Sequence, residues 1–341
     1  MNKPIITGIL SYGMSGKLFH APFVNAHSGF KLHAVTERTR KAAEERYPGI
    51  RSYDSVSELI NDPEIELVIV NTPNNTHFEY AKEALQAGKH VLVEKPFAVS
   101  SKQAKELFEL ARTAGRKVMV YHNRRWDSDY LSLKKVLESG KLGNLIEAHF
   151  RFDRYRREIG PKVFKETDIP GSGVAYDLGS HMLDQAISLF GQPLKSVKVT
   201  GAFRENSQVD DYVSIHLMYP NRLNVFLTAS LLVADPLPAY VMHGTLGSYI
   251  KDRTDLQETQ LLTEMSPLNQ GFGIEPKEKQ GILTIVDGTG EKVSASFGVG
   301  KGNYLGLFDA VYAHIRENKP YPVKEEEIVW QMEILEQPDF V

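Results

Sequence analysis

The chain has 341 residues, 42% hydrophobic and 24% charged, with a formal net charge of -3 and no cysteine. That length accommodates two domains with separate cores, and the small net charge gives no electrostatic case for nucleic acid or an anionic membrane as a partner. The lack of cysteine excludes a disulfide framework, a thiolate nucleophile and thiolate-held metal centres, and it suits a reducing compartment.

From Met1 the chain runs straight into a strand with no apolar signal segment, and no apolar run reaches the roughly 20 residues of a membrane span, so a cytoplasmic protein is expected. The first strand, Ile5 to Leu10, opens into Ser11-Tyr12-Gly13-Met14-Ser15-Gly16 and then a helix to about Ala26. Strand, glycine turn and helix in this order make the context that cradles a dinucleotide pyrophosphate, with Gly13 allowing close backbone approach and Gly16 allowing tight packing. Ser11 stands where the first glycine of the fingerprint falls. A second strand, Lys31 to Thr36, ends in Glu37-Arg38, about 20 residues past the turn. An acid there holds a ribose 2′-hydroxyl and an arginine a 2′-phosphate, so the spacing leaves both NAD and NADP open.

Ser55-Val56-Ser57-Glu58 reads as a capping box, and Glu66 to Asn71 as a doubly buried strand. The strand runs into Thr72-Pro73-Asn74-Asn75-Thr76-His77, a turn on the same carboxyl edge whose groups would line the cofactor's sugar and nicotinamide. His90 to Val93 is another buried strand, closed by Glu94-Lys95-Pro96, which places a lysine at the ligand-binding edge. A helix from about Ser101 to Gly115 and the strand Lys117 to Tyr121 complete five or six β-α alternations. Those alternations predict a doubly wound parallel sheet over residues 1–122.

Beyond Tyr121 the pattern changes. His122-Asn123-Arg124-Arg125-Trp126-Asp127 is dense in donors after a strand end, which suggests a hinge and a rim for an oxygen-rich ligand; a salt-bridge cluster would have the same spacing. Strands that alternate apolar and polar residues follow, predicting an α+β domain over residues 123–341 with a large, mostly antiparallel open sheet. Embedded in it, Val174 to Phe190 reads as a helix ended by Gly191, with Asp177, His181 and Asp184 on one face at i, i+4 and i+7. A neutral imidazole accepts a proton, and a carboxylate one turn away orients it. The pair lacks the further ligands of a metal site, so no metal is expected. The segment 252–301 is polar and glycine-rich and its elements cannot be placed. Asn303 to Asn318 reads as a last clear helix.

The glycine turn, Thr72-Pro73, Glu94-Lys95-Pro96 and Asp177-x-x-x-His181, in this order, resemble the Gfo/Idh/MocA family of NAD(P)-dependent oxidoreductases. Gly16 to Pro22 and Tyr121 to Asp127 are similar to the subgroup with NADP-dependent scyllo-inositol dehydrogenases. The resemblance implies a Rossmann domain, a second domain whose open sheet makes a subunit interface in a homodimer or homotetramer, catalysis by Lys95, Asp177 and His181, and Thr72, Pro73 and Asn75 near the nicotinamide ribose. With it the expected cofactor contacts are residues 11–16, Glu37, Arg38, Thr72, Pro73, Asn75, His77, Glu94 and Lys95, with NADP or NAD bound and NADP favoured. His122, Asn123, Arg124, Tyr155 and Asp184 are expected to bind a polyol or sugar. Two other readings remain open, a non-catalytic sensor of a dinucleotide or sugar and a reductase of the dihydrodiol or biliverdin type.

Overall fold

The computed structural model describes residues 3–39 and 41–340; Met1, Asn2, Arg40 and Val341, and with them the expected entry of the chain from Met1, lie outside the described residues. The chain divides into two compact units. The first comprises residues 1–122, 257–272 and 304–325, the second residues 123–256, 273–303 and 326–341.

The first unit is built on a parallel six-stranded sheet: β1 (Ile5–Ile9), β2 (Phe30–Thr36), β3 (Arg51–Tyr53), β4 (Leu67–Val70), β5 (His90–Glu94) and β6 (Val118–Tyr121). Its order is β3-β2-β1-β4-β5-β6, the doubly wound arrangement, with the reversal of direction between β1 and β4. Val68, Ile69, Val91 and Leu92 are fully buried because helices cover both faces, which is why these strands read as continuous apolar runs. Helix Ser101–Thr113 is capped by the Ser100 hydroxyl, and Val56–Ile60 by the capping box of Ser55 and Glu58. The returning helix Tyr304–Arg316 packs on this unit through Phe308, stacked at 5.5 Å on Phe23.

The glycine turn does not lead directly into an α-helix. Gly16–His20 forms a π-turn, closed by a bond from the Ala21 amide to the Gly16 carbonyl, before helix Ala21–Ala26, which carries Pro22 in its first turn.

The second unit holds an eight-stranded sheet of β7 (Leu145–Asp153), β8 (Lys195–Gly201), β9 (Tyr212–Met218), β10 (Asn224–Ser230), β11 (Tyr240–Gly244), β12 (Gly247–Lys251), β13 (Gly281–Val286) and β14 (Lys292–Phe297). The order is β14-β13-β12-β11-β7-β10-β9-β8, with only β7 and β10 parallel. Alternate residues of β9 and β10 are buried, with Ala175–Gly179 packed on both strands, helix Ser180–Phe190 on β7 and β10, and helix Ser128–Glu138 on β12. On the other face Phe226 is sandwiched between His149 at 5.1 Å and His216 at 4.4 Å. The segment 252–301, unplaced by sequence, contains helix Gln257–Leu262 and the hairpin β13–β14. It is anchored by buried Lys251, whose ammonium lies 2.5 Å from Glu275 and 2.6 Å from the Lys279 carbonyl. The carboxyl end covers edge strand β8: the Phe340 amide donates to the Lys198 carbonyl at 2.8 Å, and Lys198 to the Leu335 carbonyl at 2.8 Å.

Candidate active site

At the carboxyl edge of the parallel sheet the glycine turn is held from β4. Asn71 accepts from the Ser11 amide at 2.9 Å and donates to the Ser11 carbonyl at 2.8 Å. Asn71 is a structural partner that spacing alone did not single out. A Cβ on Gly16 would lie 2.1 Å from the Ser11 carbonyl oxygen, whereas one on Gly13 meets only the Ser11 hydroxyl at 3.4 Å. The turn is closed on its inner side and open beside Gly13, where Met14 is exposed, so these residues fit a dinucleotide pyrophosphate at the start of the helical segment. Gly16→Ala should therefore force the turn apart at a cost of about 1–3 kcal/mol, weakening NADPH binding roughly ten- to a hundred-fold. Fluorescence titration reads this directly, and an unchanged affinity would contradict the cradle.

Glu37, expected at the cofactor's ribose, is engaged within its own loop. Its carboxylate accepts from the Ala42 amide at 2.9 Å, the Ala43 amide at 3.2 Å and the Ser52 hydroxyl at 3.0 Å. A buried acid so engaged caps its own loop. Arg38, the next residue, is exposed.

His77 and Glu94 are also turned inward. Buried His77 lies 2.7 Å from the Pro96 carbonyl and 2.9 Å from that of Thr72, so it staples together the two turns expected at the cofactor. Burial outweighs both carbonyls and keeps its pKa below the usual histidine value, so at neutral pH the ring donates to one of them. The Glu94 carboxylate accepts from Ser15, His20 and the Lys95 amide. In the Thr72 turn, the Thr72 hydroxyl pairs with that of Thr76 at 2.6 Å, and Asn75 is exposed.

In the second unit a π-turn, Ala175–Gly179, leads into helix Ser180–Phe190. Asp210 anchors its start, accepting from the Ala175 amide at 2.7 Å, while a Cβ on Gly173 (φ +82°) would lie 2.1 Å from the same carboxylate. Burial pushes the Asp210 carboxyl up to about 6 against those backbone donors. The run carries Asp177, whose Oδ1 is 2.5 Å from the Lys165 ammonium, and buried His181 one turn on. Lys165 lies in the short helix Val163–Glu166, and no motif marks it in the sequence.

Asp184, expected at the substrate, meets donors of the second unit. It is 1% exposed, and its oxygens accept from Arg125 Nε at 2.9 Å, Arg125 Nη2 at 2.7 Å and Gln331 at 3.1 Å. Arg125 also reaches Glu327 at 2.7 Å. Burial works against the guanidinium charge, and Asp184 and Glu327 more than offset it, raising the Arg125 pKa. Arg124 lies over the Phe152 ring at 5.1 Å and donates to Asp127 at 3.1 Å. His122 and Asn123 are buried, and Tyr155 is 61% exposed, so Asn123 and Tyr155 are not presented alike to a ligand.

Among the described residues one grouping has metal-ligand spacing, His33, Asp62 and Glu64. Arg51 already bridges its two carboxylates at 3.2 and 2.6 Å, and Tyr53 donates to Asp62 at 2.8 Å, which makes it an ion-pair cluster.

A doubly wound sheet with a pyrophosphate cradle at its switch point defines the first unit as an NAD(P)-binding Rossmann domain, and a family of that description, the oxidoreductase family with an NAD-binding Rossmann fold, matches residues 5–122. The GFO/IDH/MocA C-terminal domain matches residues 130–250. The uncharacterized oxidoreductase YdgJ of Escherichia coli is 37% identical over 98% of this chain and 96% of its own. The scyllo-inositol 2-dehydrogenase (NADP(+)) IolW of Bacillus subtilis is 34% identical over 97% and 92%. Among solved structures, the Bacillus subtilis oxidoreductase yvaA aligns with a TM-score of 0.93 at 34% identity, covering 98% of this chain and 95% of that one. The chain belongs to the Gfo/Idh/MocA family of oxidoreductases. No helix of the described residues is long and apolar enough to cross a membrane.

Proposed function

We propose that the protein is an NADP-dependent dehydrogenase interconverting a secondary alcohol and a ketone on a cyclitol or sugar. The observation that carries this reading is a carboxylate fixed by Lys165, with a buried imidazole one turn further along the same helical run. A sensor needs binding groups but no proton acceptor. The similarity to a relative named for scyllo-inositol and NADP(+) supports the substrate class.

The nicotinamide, when bound, supplies the acceptor or donor of hydride. His181 takes the hydroxyl proton in the oxidative direction and returns it in the reductive one. Lys95 donates a hydrogen bond to that oxygen and offsets the negative charge that develops on it. Asp177 orients the substrate hydroxyls or the imidazole. The backbone of residues 11–16 holds the pyrophosphate, and Thr72, Pro73 and Asn75 lie by the nicotinamide ribose. The open face of the second sheet is proposed as a subunit interface in a homodimer or homotetramer, acting in the cytoplasm.

The preference for NADP rests on the end of β2, where the acid is engaged by its own loop and the arginine is exposed. Removing one charge-assisted contact is worth about 1.5–3 kcal/mol, so Arg38→Ala should lower kcat/KM for NADP roughly ten- to a hundred-fold and leave that for NAD nearly unchanged. An equal loss with both cofactors would remove Arg38 from the 2′-phosphate, and an enzyme that prefers NAD from the start would overturn the NADP reading.

A further inference from the structure

Behind Lys95 lies a buried network that the reaction as described does not use. The π-turn Gly16–His20 points the His20 side chain into the interior of the first unit, where the residue is 0% exposed. Its Nε2 is 2.9 Å from Glu94 Oε1, and its ring lies 4.4 Å from that of Tyr121 at 60°. The Tyr121 hydroxyl donates to the Phe19 carbonyl at 2.8 Å, holding the same turn from the end of β6. The Ser15 hydroxyl donates to Glu94 Oε1 at 3.0 Å, and the Lys95 amide to Oε2 at 3.2 Å. The glycine turn and β5 are thereby joined through one carboxylate, and β6 holds the same turn through Tyr121.

We propose that His20 is a positioning residue for Lys95, acting through Glu94: it holds that carboxylate ionised and oriented at the foot of the lysine, and so keeps the ammonium charged and fixed. The proposal rests on the catalytic reading of Lys95.

The chemistry of the three donors supports it. His20 Nδ1 is buried with no hydrogen-bond partner, so the ring's one polar contact is the Nε2 hydrogen bond to Glu94. A buried imidazole is a costly way to fill space unless its N–H is used, and an apolar side chain would pack against Tyr121 without that cost. Burial alone would raise the Glu94 pKa, but His20, Lys95 and Ser15 bring it down to about 2. The carboxylate is therefore charged throughout the working pH range, and its attraction for Lys95 favours the protonated amine. The other titratable groups facing this pair are Tyr121, across the His20 ring, and His77, which senses both Glu94 and Lys95. His77 remains below its usual pKa, so it adds no competing charge near neutral pH.

The network also links Lys95 to the cofactor turn. Ser15 belongs to the loop that cradles the pyrophosphate and shares with His20 the same Glu94 oxygen. A displacement of the turn moves the carboxylate on which the Lys95 amide rests.

The test uses the whole protein and the variants His20→Leu, His20→Gln and Glu94→Gln. The primary readout is the pH dependence of Lys95 labelling by trinitrobenzenesulfonate, followed by mass spectrometry of the peptide that contains it. This needs no substrate. Loss of an opposite charge or of its orientation should shift the labelling profile of Glu94→Gln and His20→Leu to lower pH by about one unit or more. His20→Gln, which supplies a neutral N–H near the position of Nε2, should restore the wild-type profile. With an active substrate in hand, kcat should fall roughly tenfold or more in His20→Leu with little change in KM or in NADPH affinity. An unshifted labelling profile in a folded His20→Leu protein would overturn the proposal; if that variant does not fold, an unshifted profile in Glu94→Gln has the same meaning. Failure of the wild type to oxidise any polyol would instead count against the substrate reading and leave the labelling result standing.

Discussion

Lys95→Ala should lower kcat by about 10²–10³-fold, the cost of removing one preorganised donor from a developing oxyanion, while NADPH still binds nearly as in the wild type. The split follows from the position of the residue. The pyrophosphate cradle is made by the backbone of residues 11–16 and clamped by Asn71, and neither depends on the lysine side chain. The fold at this edge survives as well, because Glu94 is still held by Ser15, His20 and the amide of residue 95. Steady-state kinetics and fluorescence titration of the same preparation measure the two quantities. A variant that retains near-wild-type turnover would take Lys95 out of the catalytic account.

The second large effect is on stability. Arg125→Met removes a guanidinium that pairs with both Asp184 and Glu327. Breaking a buried ion pair from one side costs about 3–5 kcal/mol, because the desolvated charge loses its compensation. For a unit of this size that corresponds to a fall in Tm of roughly 10 °C, measurable by calorimetry. The same measurement separates two roles for Asp184. As a buried structural partner it gives Asp184→Ala a lowered Tm, whereas a substrate ligand would give a raised KM and an unchanged Tm. The first outcome is expected, since the residue is 1% exposed and its oxygens accept three protein donors.

The parallel sheet is legible in the sequence because β4 and β5 are buried on both faces, so that their apolar runs are continuous and end at turn residues. The glycine turn and the Asp177–His181 spacing are legible for a similar reason, since each is a local pattern imposed by a local geometry. What escapes is decided by distant partners. The π-turn at Gly16–His20 has no local signal: it is closed by the Ala21 amide on the Gly16 carbonyl and held by Tyr121 from β6, and its His20 meets Glu94, 74 residues along the chain. Glu37 has the spacing of a ribose ligand, but the amides of Ala42 and Ala43 and the Ser52 hydroxyl close around it from its own loop. Helical periodicity puts Asp184 on the same face as His181, yet it cannot show that Gln331, 147 residues later, fills the space beside it. The strands of segment 252–301 are similarly hidden: β14 is mostly exposed, and the Lys251–Glu275 pair that fixes the region spans 24 residues.

The central claim is that this chain moves a hydride between a ring carbinol and NADP. The most direct test follows deuterium from ring-carbon-deuterated scyllo-inositol, myo-inositol and simple aldoses into the reduced dinucleotide, by mass spectrometry of the cofactor after incubation with the wild-type protein. The account predicts deuterated NADPH with at least one ring polyol, and loss of the signal in Lys95→Ala and in His181→Ala. Unlabelled, unreduced cofactor with every polyol, from a protein that binds NADPH, would contradict it and favour a sensor or a different class of substrate.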